Sequence, residues 1–217
     1  MRPYDVVLWD LDGTVMDSAP GIYLSFEHTF ARMGLTAPSR AELRRYLGPP
    51  LKSTFGEILG FSAEDTARAI ALYRDEYHSV GAFAAEPFPG VVDLIEDVRA
   101  AGMVTALATS KAEKAARLVT GHFHLDHLFD VYGCATDDDV RKTKSDVLDF
   151  VLAELGERGT DRSRIVLVGD RIHDVDGAQE FGVDCVLVEW GYGSSVEFAE
   201  ATGSVTTVSE LREFLGL

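Results

Sequence analysis

The sequence is short of positive charge, of cysteine and of long apolar runs, and each shortage removes a class of function. Only 20 Lys and Arg stand against 36 Asp and Glu in 217 residues, a net charge of −16. A surface of that sign repels phosphate backbones and anionic headgroups, so neither a nucleic-acid polymer nor a membrane is expected as the main partner. The longest uncharged run, residues 100–110, has eleven positions, well below the roughly 20 apolar residues that a spanning helix needs. At the start, Met1-Arg2-Pro3-Tyr4-Asp5 puts charge where the apolar stretch of a secretory signal would begin, and none is expected. The two cysteines, Cys134 and Cys185, lie in apolar stretches without the spacing of a zinc site or disulfide framework. A reducing cytoplasm is the expected compartment.

What is present describes a folded chain. With 46% hydrophobic residues, it can bury one large core with a smaller appendage. Val6 to Trp9 are contiguous apolar residues, the pattern of a parallel strand covered on both faces. From about residue 17 to 84 the pattern is helical, broken at Gly34, Pro38, Gly48-Pro49-Pro50 and Gly60, and predicts four short helices without a strand. Beyond Pro89, helices and strands alternate. Strands are expected at residues 103–108, 129–133, 164–168 and 185–188, with helices between them and two short helices at the end. Such alternation implies right-handed crossovers and a doubly wound, Rossmann-like parallel α/β sheet, with ligands at the carboxyl ends of the strands. The expected division is a core of residues 1–15 and 86–217 with a helical insert at 16–85.

Polar residues fall where that fold puts its crevice. Asp10 and Asp12 flank Leu11 at the end of the first strand, and i, i+2 spacing would turn both carboxylates toward one site. Carboxylates that close raise each other's pKa unless a cation sits between them. Asp170 and Asp174 supply a second acidic pair after another buried strand, and a hard cation such as Mg²⁺ takes oxygen ligands of this kind. Thr109-Ser110-Lys111 ends a strand and opens a helix, offering hydroxyls, backbone N–H groups and a positive dipole end to an anion. Lys142 and Lys144 follow Asp137, Asp138 and Asp139 in a chain where Lys is scarce. Each feature has a plainer use as a turn, a helix cap or a solvated loop; four Asp at strand ends are harder to assign that way.

Taken in order, Asp10-Leu11-Asp12-Gly13-Thr14, Thr109-Ser110-Lys111, Lys144 and Gly169-Asp170 with Asp174 resemble the four motifs of the haloacid dehalogenase (HAD) superfamily. The resemblance spans nearly the whole chain. The helical insert after the first motif, and the stretch GDRIHDVDGA followed by EWGYG, are similar to the phosphoglycolate phosphatase-like and 5′-nucleotidase-like branch with its small helical cap. The third motif departs from the Lys-Pro frequent in that branch and reads Arg141-Lys142-Thr143-Lys144-Ser145. Lys144 is preferred because it lies three residues before Val147 on the opening turn of a helix, and Lys142 stays open.

The resemblance implies a phosphatase. Asp10 would be the nucleophile and Asp12 the proton donor and acceptor. Thr109, Ser110 and Lys144 would hold the phosphoryl group. Mg²⁺ would be bound by Asp10, Asp12 through its backbone carbonyl, Asp170 and Asp174. The second Asp favours ester hydrolysis, because transport ATPases of the superfamily have Thr there and its dehalogenases lack the residue. A pyrophosphatase, a sugar-phosphate mutase and a noncatalytic phosphate-binding regulator remain as alternatives. The expected partner is a small phosphorylated metabolite such as phosphoglycolate or a nucleoside monophosphate, turned over by a monomer or homodimer. Arg45 and Lys52, beside Gly48-Pro49-Pro50, are candidates for recognising a second anionic group, as is Arg44. His122, His124 and His127 are expected to be structural, and His173 at most supports the site. Trp190 and Tyr192 either border the site or pack over the sheet end.

Overall fold

The computed structural model describes residues 3–136, 140–156 and 161–217; the acidic run 137–139 lies outside them. Two compact units emerge, Met1–Asp17 with Pro87–Leu217, and Ser18–Glu86. Expected boundaries at 15/16 and 85/86 therefore fall one or two residues earlier than the observed ones.

The elements run β1 (Val6–Trp9), β2 (Met16–Asp17), α1 (Ala19–Arg32), α2 (Arg40–Leu43), α3 (Leu51–Ser53), α4 (Ala63–Ser79), β3 (Glu86–Pro87), α5 (Val91–Ala100) and β4 (Val104–Ala112). They continue with α6 (Glu113–His122), β5 (Val131–Ala135), α7 (Lys144–Gly156), β6 (Ile165–Gly169), α8 (Ile172–Phe181), β7 (Asp184–Val188), α9 (Ser195–Phe198), β8 (Gly203–Val205) and α10 (Val208–Phe214). Six strands form one parallel sheet in the order β5-β4-β1-β6-β7-β8. From β1 the chain winds outward through β4 to β5, then returns to the other side of β1 with β6. The carboxyl ends around β1 thus form the topological switch point, where a crevice opens.

The apolar runs of the strands are explained by burial on both faces. Val6 and Leu8 join Ala106, Ala108, Val131, Ile165, Leu167, Cys185 and Leu187 against one face of α7 and α8, including Val147, Leu148, Val151, Leu152 and Val175. Val7 and Trp9 point the other way and are equally inaccessible. Burying a side chain of this size contributes about 1.5–3 kcal/mol, so this region has the strongest reason to hold its shape. Cys134 and Cys185 are free thiols within it, and burial pushes the Cys134 thiol up to about 12.

The unit Ser18–Glu86 contains four α-helices, but two of them are long: α1 has 14 residues and α4 has 17. Ser62 caps α4 by accepting from the Asp65 N–H at 3.1 Å. Its core is aromatic, with the ring of Phe26 on α1 5.0 Å from Tyr73 and 5.5 Å from Phe55. Within residues 17–84, expected to hold no strand, the structure adds only Asp17 at the end of β2; β2 and β3 pair as a second, two-stranded sheet at the two ends of that stretch. Phe88 N–H extends that contact, donating to Val15 O at 2.9 Å. Among the described residues, no helix is long and apolar enough to cross a membrane.

Candidate active site

The first acidic pair is built by a strand that stops and a chain that immediately turns. Strand β1 ends at Trp9, and Asp10 N–H still donates to Val168 O at 2.9 Å, which fixes Asp10 at the strand tip beside β6. The chain then folds back, with Val15 and Met16 N–H groups both donating to Leu11 O. Gly13 makes the turn possible: its φ is +84°, and a Cβ there would collide with the Asp170 carboxylate. Asp12 lies beyond the strand end, and its charge still acts on Asp10. Its carboxylate joins Lys111, whose Nζ lies 3.0 and 2.7 Å from the two oxygens.

The second acidic pair is set by β6 and α8. Asp170 follows Gly169 and is fully buried, as is Asp174 on the first turn of α8. Asp174 Oδ2 accepts the N–H groups of Asp170 at 3.1 Å and Arg171 at 3.0 Å, so the helix start is closed by a carboxylate aimed back at the strand end. Asp170 Oδ2 accepts the Tyr192 N–H at 2.7 Å. A Cβ on Gly191 would strike both Gly13 O and Asp170, so only glycine lets these three segments meet.

Lys144 sits at the centre. It opens α7, is buried, and directs its ammonium at Asp10 Oδ1 at 2.8 Å and Ala108 O at 2.7 Å, which accept hydrogen bonds, with Asp174 Oδ1 an ion-pair contact at 2.7 Å. Asp174 Oδ1 is itself buried with no hydrogen-bond partner among the described residues. Lys142 is exposed, its contribution being a backbone N–H to Asp146 at 2.9 Å. The two lysines left open by the sequence are thus separated by position.

One ammonium does not balance three carboxylates. Burial, followed by the charges of Asp174 and Asp12, pushes the Asp10 carboxyl up to about 6 despite the opposing effect of Lys144. Burial also pushes Asp170 well above the usual carboxylate range, helped by Asp174 and Asp10. Lys144 moves upward too: burial opposes its charge, but Asp10 and Asp174 outweigh it. Ligand oxygens of Asp10, Asp170 and Asp174 lie within 4.8 Å of one another. Asp170 Oδ1 is buried with no hydrogen-bond partner among the described residues. An all-oxygen donor set, an excess of negative charge and an orphaned carboxylate oxygen together fit a hard divalent cation. Asp12 is not among these side-chain donors.

Thr109 is buried and Ser110 is half-buried, but their setting differs from the expected helix start. Strand β4 continues to Ala112, with an irregularity in pairing between Thr109 and Ala112, and α6 begins only at Glu113. The helix N-terminus follows directly, with Ala112 as the N-cap, and the tripeptide itself is an irregular strand end in which Thr109 Oγ1 accepts the Lys111 N–H at 3.3 Å.

Arg45 and Lys52 are exposed and belong to the unit Ser18–Glu86, as does the exposed Arg44. The only side-chain group among the described residues that could hold a metal ion is Asp10, Asp170 and Asp174, so His122, His124 and His127 do not form one. His173 is exposed. Trp190 Nε1 donates to Thr14 O at 3.2 Å, and the Tyr192 hydroxyl donates to Asp17 Oδ1 at 3.0 Å. Three contacts were not legible in the sequence: the pairing of Lys111 with Asp12, the Ala108 carbonyl on Lys144 and the Tyr192 N–H on Asp170. Only the pair Gly191 and Gly193 beside Tyr192 gave a local signal of close approach.

Residues 7–188 match the family model described as haloacid dehalogenase-like hydrolase. A Mycobacterium tuberculosis protein named tyrosine-protein kinase PtkA is 41% identical over 218 residues, covering 98% of this chain and 72% of that protein. A Pseudomonas aeruginosa protein named 5′-nucleotidase is 32% identical over 215 residues, covering 98% of this chain and 96% of its own. Among solved structures, a predicted phosphatase from Clostridium acetobutylicum superimposes with a TM-score of 0.91 at 31% identity, covering 99% of both chains.

Proposed function

The chain belongs to the haloacid dehalogenase-like hydrolases, and from that premise we propose that it is a Mg²⁺-dependent phosphatase acting on a small phosphate monoester. The observation that carries this reading is the grouping of Asp10, Asp170 and Asp174 at the switch point of the sheet, with Lys144 paired to Asp10 and Asp174 and with Asp12 close by in sequence. In the first step an Asp10 carboxylate oxygen attacks phosphorus, the bond from phosphorus to the ester oxygen breaks, and Asp12 gives that oxygen its proton. In the second, water attacks phosphorus as Asp12 takes a proton from it. Asp10 then leaves as a carboxylate and inorganic phosphate is released.

Lys144 holds Asp10 Oδ1 and so favours attack by the other oxygen. Thr109, Ser110 and Lys144 receive the phosphoryl oxygens. Asp10, the Asp12 carbonyl, Asp170 and Asp174 are the groups that would hold Mg²⁺, which when bound neutralises charge on the phosphoryl oxygens. The unit Ser18–Glu86 is the cap, and its Arg45 and Lys52 recognise a second anionic group on the substrate. Phosphoglycolate, with its carboxylate, fits that description; a nucleoside monophosphate, in keeping with the relative named 5′-nucleotidase, has no second anion and would leave those two side chains without that task. The two buried free thiols suit a reducing cytoplasm.

The relative at 41% identity, named a tyrosine-protein kinase, favours a second reading. A phosphoryl group on Asp10 would then pass to a tyrosine hydroxyl in place of water, and Asp12 could take the proton from either. One experiment separates the two: phosphate release from a panel of phosphorylated metabolites with Mg²⁺, run beside transfer from labelled ATP to a tyrosine-containing protein. Phosphate release that vanishes in Asp10→Asn supports the phosphatase. Label on tyrosine without turnover of any ester overturns it.

A further inference from the structure

The Asp12–Lys111 pair is built with more care than a surface ion pair. Nζ of Lys111 contacts both carboxylate oxygens, at 3.0 and 2.7 Å, and the lysine side chain is only 8% exposed. Burying an ammonium costs several kcal/mol unless a partner offsets it, so the pair is held together by the environment as well as by attraction. Two contacts to one carboxylate fix its orientation about the Cβ–Cγ bond, which a single hydrogen bond leaves free. The lysine reaches Asp12 across 99 positions of sequence because of the irregular end of β4. Between Thr109 and Ala112 the register shifts against β5, and the Thr109 hydroxyl accepts the Lys111 N–H at 3.3 Å. Such a bulge re-aims the side chains that follow it.

We propose that Lys111 is a positioning residue that fixes the Asp12 carboxyl group for proton transfer to the leaving oxygen. The proposal rests on the phosphatase reading above. It gives the third residue of the Thr109-Ser110-Lys111 segment a task separate from holding the phosphoryl group. Lys111 neither gives nor takes a proton here. Asp12, ion-paired to Lys111, takes the proton of the phosphate monoester monoanion as it binds, gives it to the ester oxygen as the bond to phosphorus breaks, and later takes one from water.

Leaving groups of different basicity provide the test. An alkoxide needs a proton to depart, whereas p-nitrophenolate leaves without one, and general acid catalysis contributes about 10²–10⁴-fold where it is needed. The value of kcat/KM reports phosphorylation of Asp10 and is compared for an alkyl phosphate and p-nitrophenyl phosphate in the native protein, Lys111→Met and Lys111→Arg. Methionine keeps the apolar stem and removes the charge. For Lys111→Met the alkyl ester is expected to lose at least tenfold and p-nitrophenyl phosphate less than threefold, with Lys111→Arg recovering most of the loss.

The rate on p-nitrophenyl phosphate also shows whether the variant folds. Equal losses on both esters would overturn the proposal, because a lysine that binds the phosphoryl group or merely supports the fold does not distinguish leaving groups. An unchanged ratio with unchanged rates would overturn it too. Failure of the native protein to hydrolyse either ester would instead remove the phosphatase reading itself, and this proposal with it.

Discussion

Replacing Asp170 with Asn changes one charge and almost no volume in the acidic group, and thermal unfolding in EDTA and in Mg²⁺ measures the effect. Asn can still accept the Tyr192 N–H that Asp170 Oδ2 accepts at 2.7 Å. In the metal-free protein, burial pushes Asp10 from 3.8 to about 6. At 1.36 kcal/mol per pH unit, ionising it in the folded state costs about 3 kcal/mol more than in the unfolded chain. The folded pKa lies above the unfolded one, so this contribution to stability is fully present below pH 3.8 and lost as pH rises through about 6. Asp170 shifts in the same direction.

A chain of this size moves in Tm by about 2–4 °C per kcal/mol. The Asp10 contribution alone therefore lowers the metal-free Tm by roughly 6–12 °C between pH 3 and 7. Mg²⁺ at a hundred times its dissociation constant returns about 2.7 kcal/mol, or roughly 5–10 °C, at pH 7.5. In Asp170→Asn the metal-free Tm at pH 7.5 is expected to equal or exceed that of the native protein, and the Mg²⁺ increment to vanish. Glu42, Asp146, Glu197 and Glu210 have lowered pKa values and work in the opposite sense, losing stability as pH falls. They are shared by both proteins, and the difference between the two melts removes them. An Asn variant that keeps the full Mg²⁺ increment would refute the assignment of this group as the cation site.

Four other outcomes follow from the same geometry. Lys144→Met should abolish phosphate release while Lys142→Ala leaves it unchanged, because Lys144 is buried on Asp10 at 2.8 Å and Lys142 is exposed; a phosphate-release assay on both variants checks this. Gly191→Ala places a methyl group against Gly13 O and Asp170, and should cost about 1–3 kcal/mol in urea denaturation together with weaker Mg²⁺ stabilisation. Arg45→Ala and Lys52→Ala should alter relative rates across a substrate panel with little effect on p-nitrophenyl phosphate; an unchanged ranking removes them from substrate recognition. Phe26→Ala opens the aromatic cluster of the Ser18–Glu86 unit and should cost about 3–5 kcal/mol, read by chemical denaturation.

The parts of this structure visible in the sequence are those fixed by local pattern. Strand β1 announced itself because burial on both faces demands an unbroken apolar run, and Lys144 because it stands one turn before Val147. Strand β8 was missed: Gly203-Ser204-Val205 has no strand signal, and its pairing with β7 supplies the conformation. Strands β2 and β3 have two residues each and were invisible for the same reason. Strand β4 runs past the expected stop at Ala108 because its polar end is still paired with β5. The Asp12–Lys111 contact could not be read from spacing, since the partners are joined only when β1 and β4 lie side by side.

The two acceptors of the Lys144 ammonium also bear on the order of folding. Its partner Asp10 is 134 positions away and Ala108 is 36 positions away, on strands that must already be adjacent for one ammonium to reach both. Contacts of such sequence separation require large loops to close first, and they favour slow steps late in folding. The Asp10–Lys144 contact is therefore expected to form only once β1 lies beside β4. Substitutions at Lys144 should then accelerate unfolding while leaving the folding rate nearly unchanged.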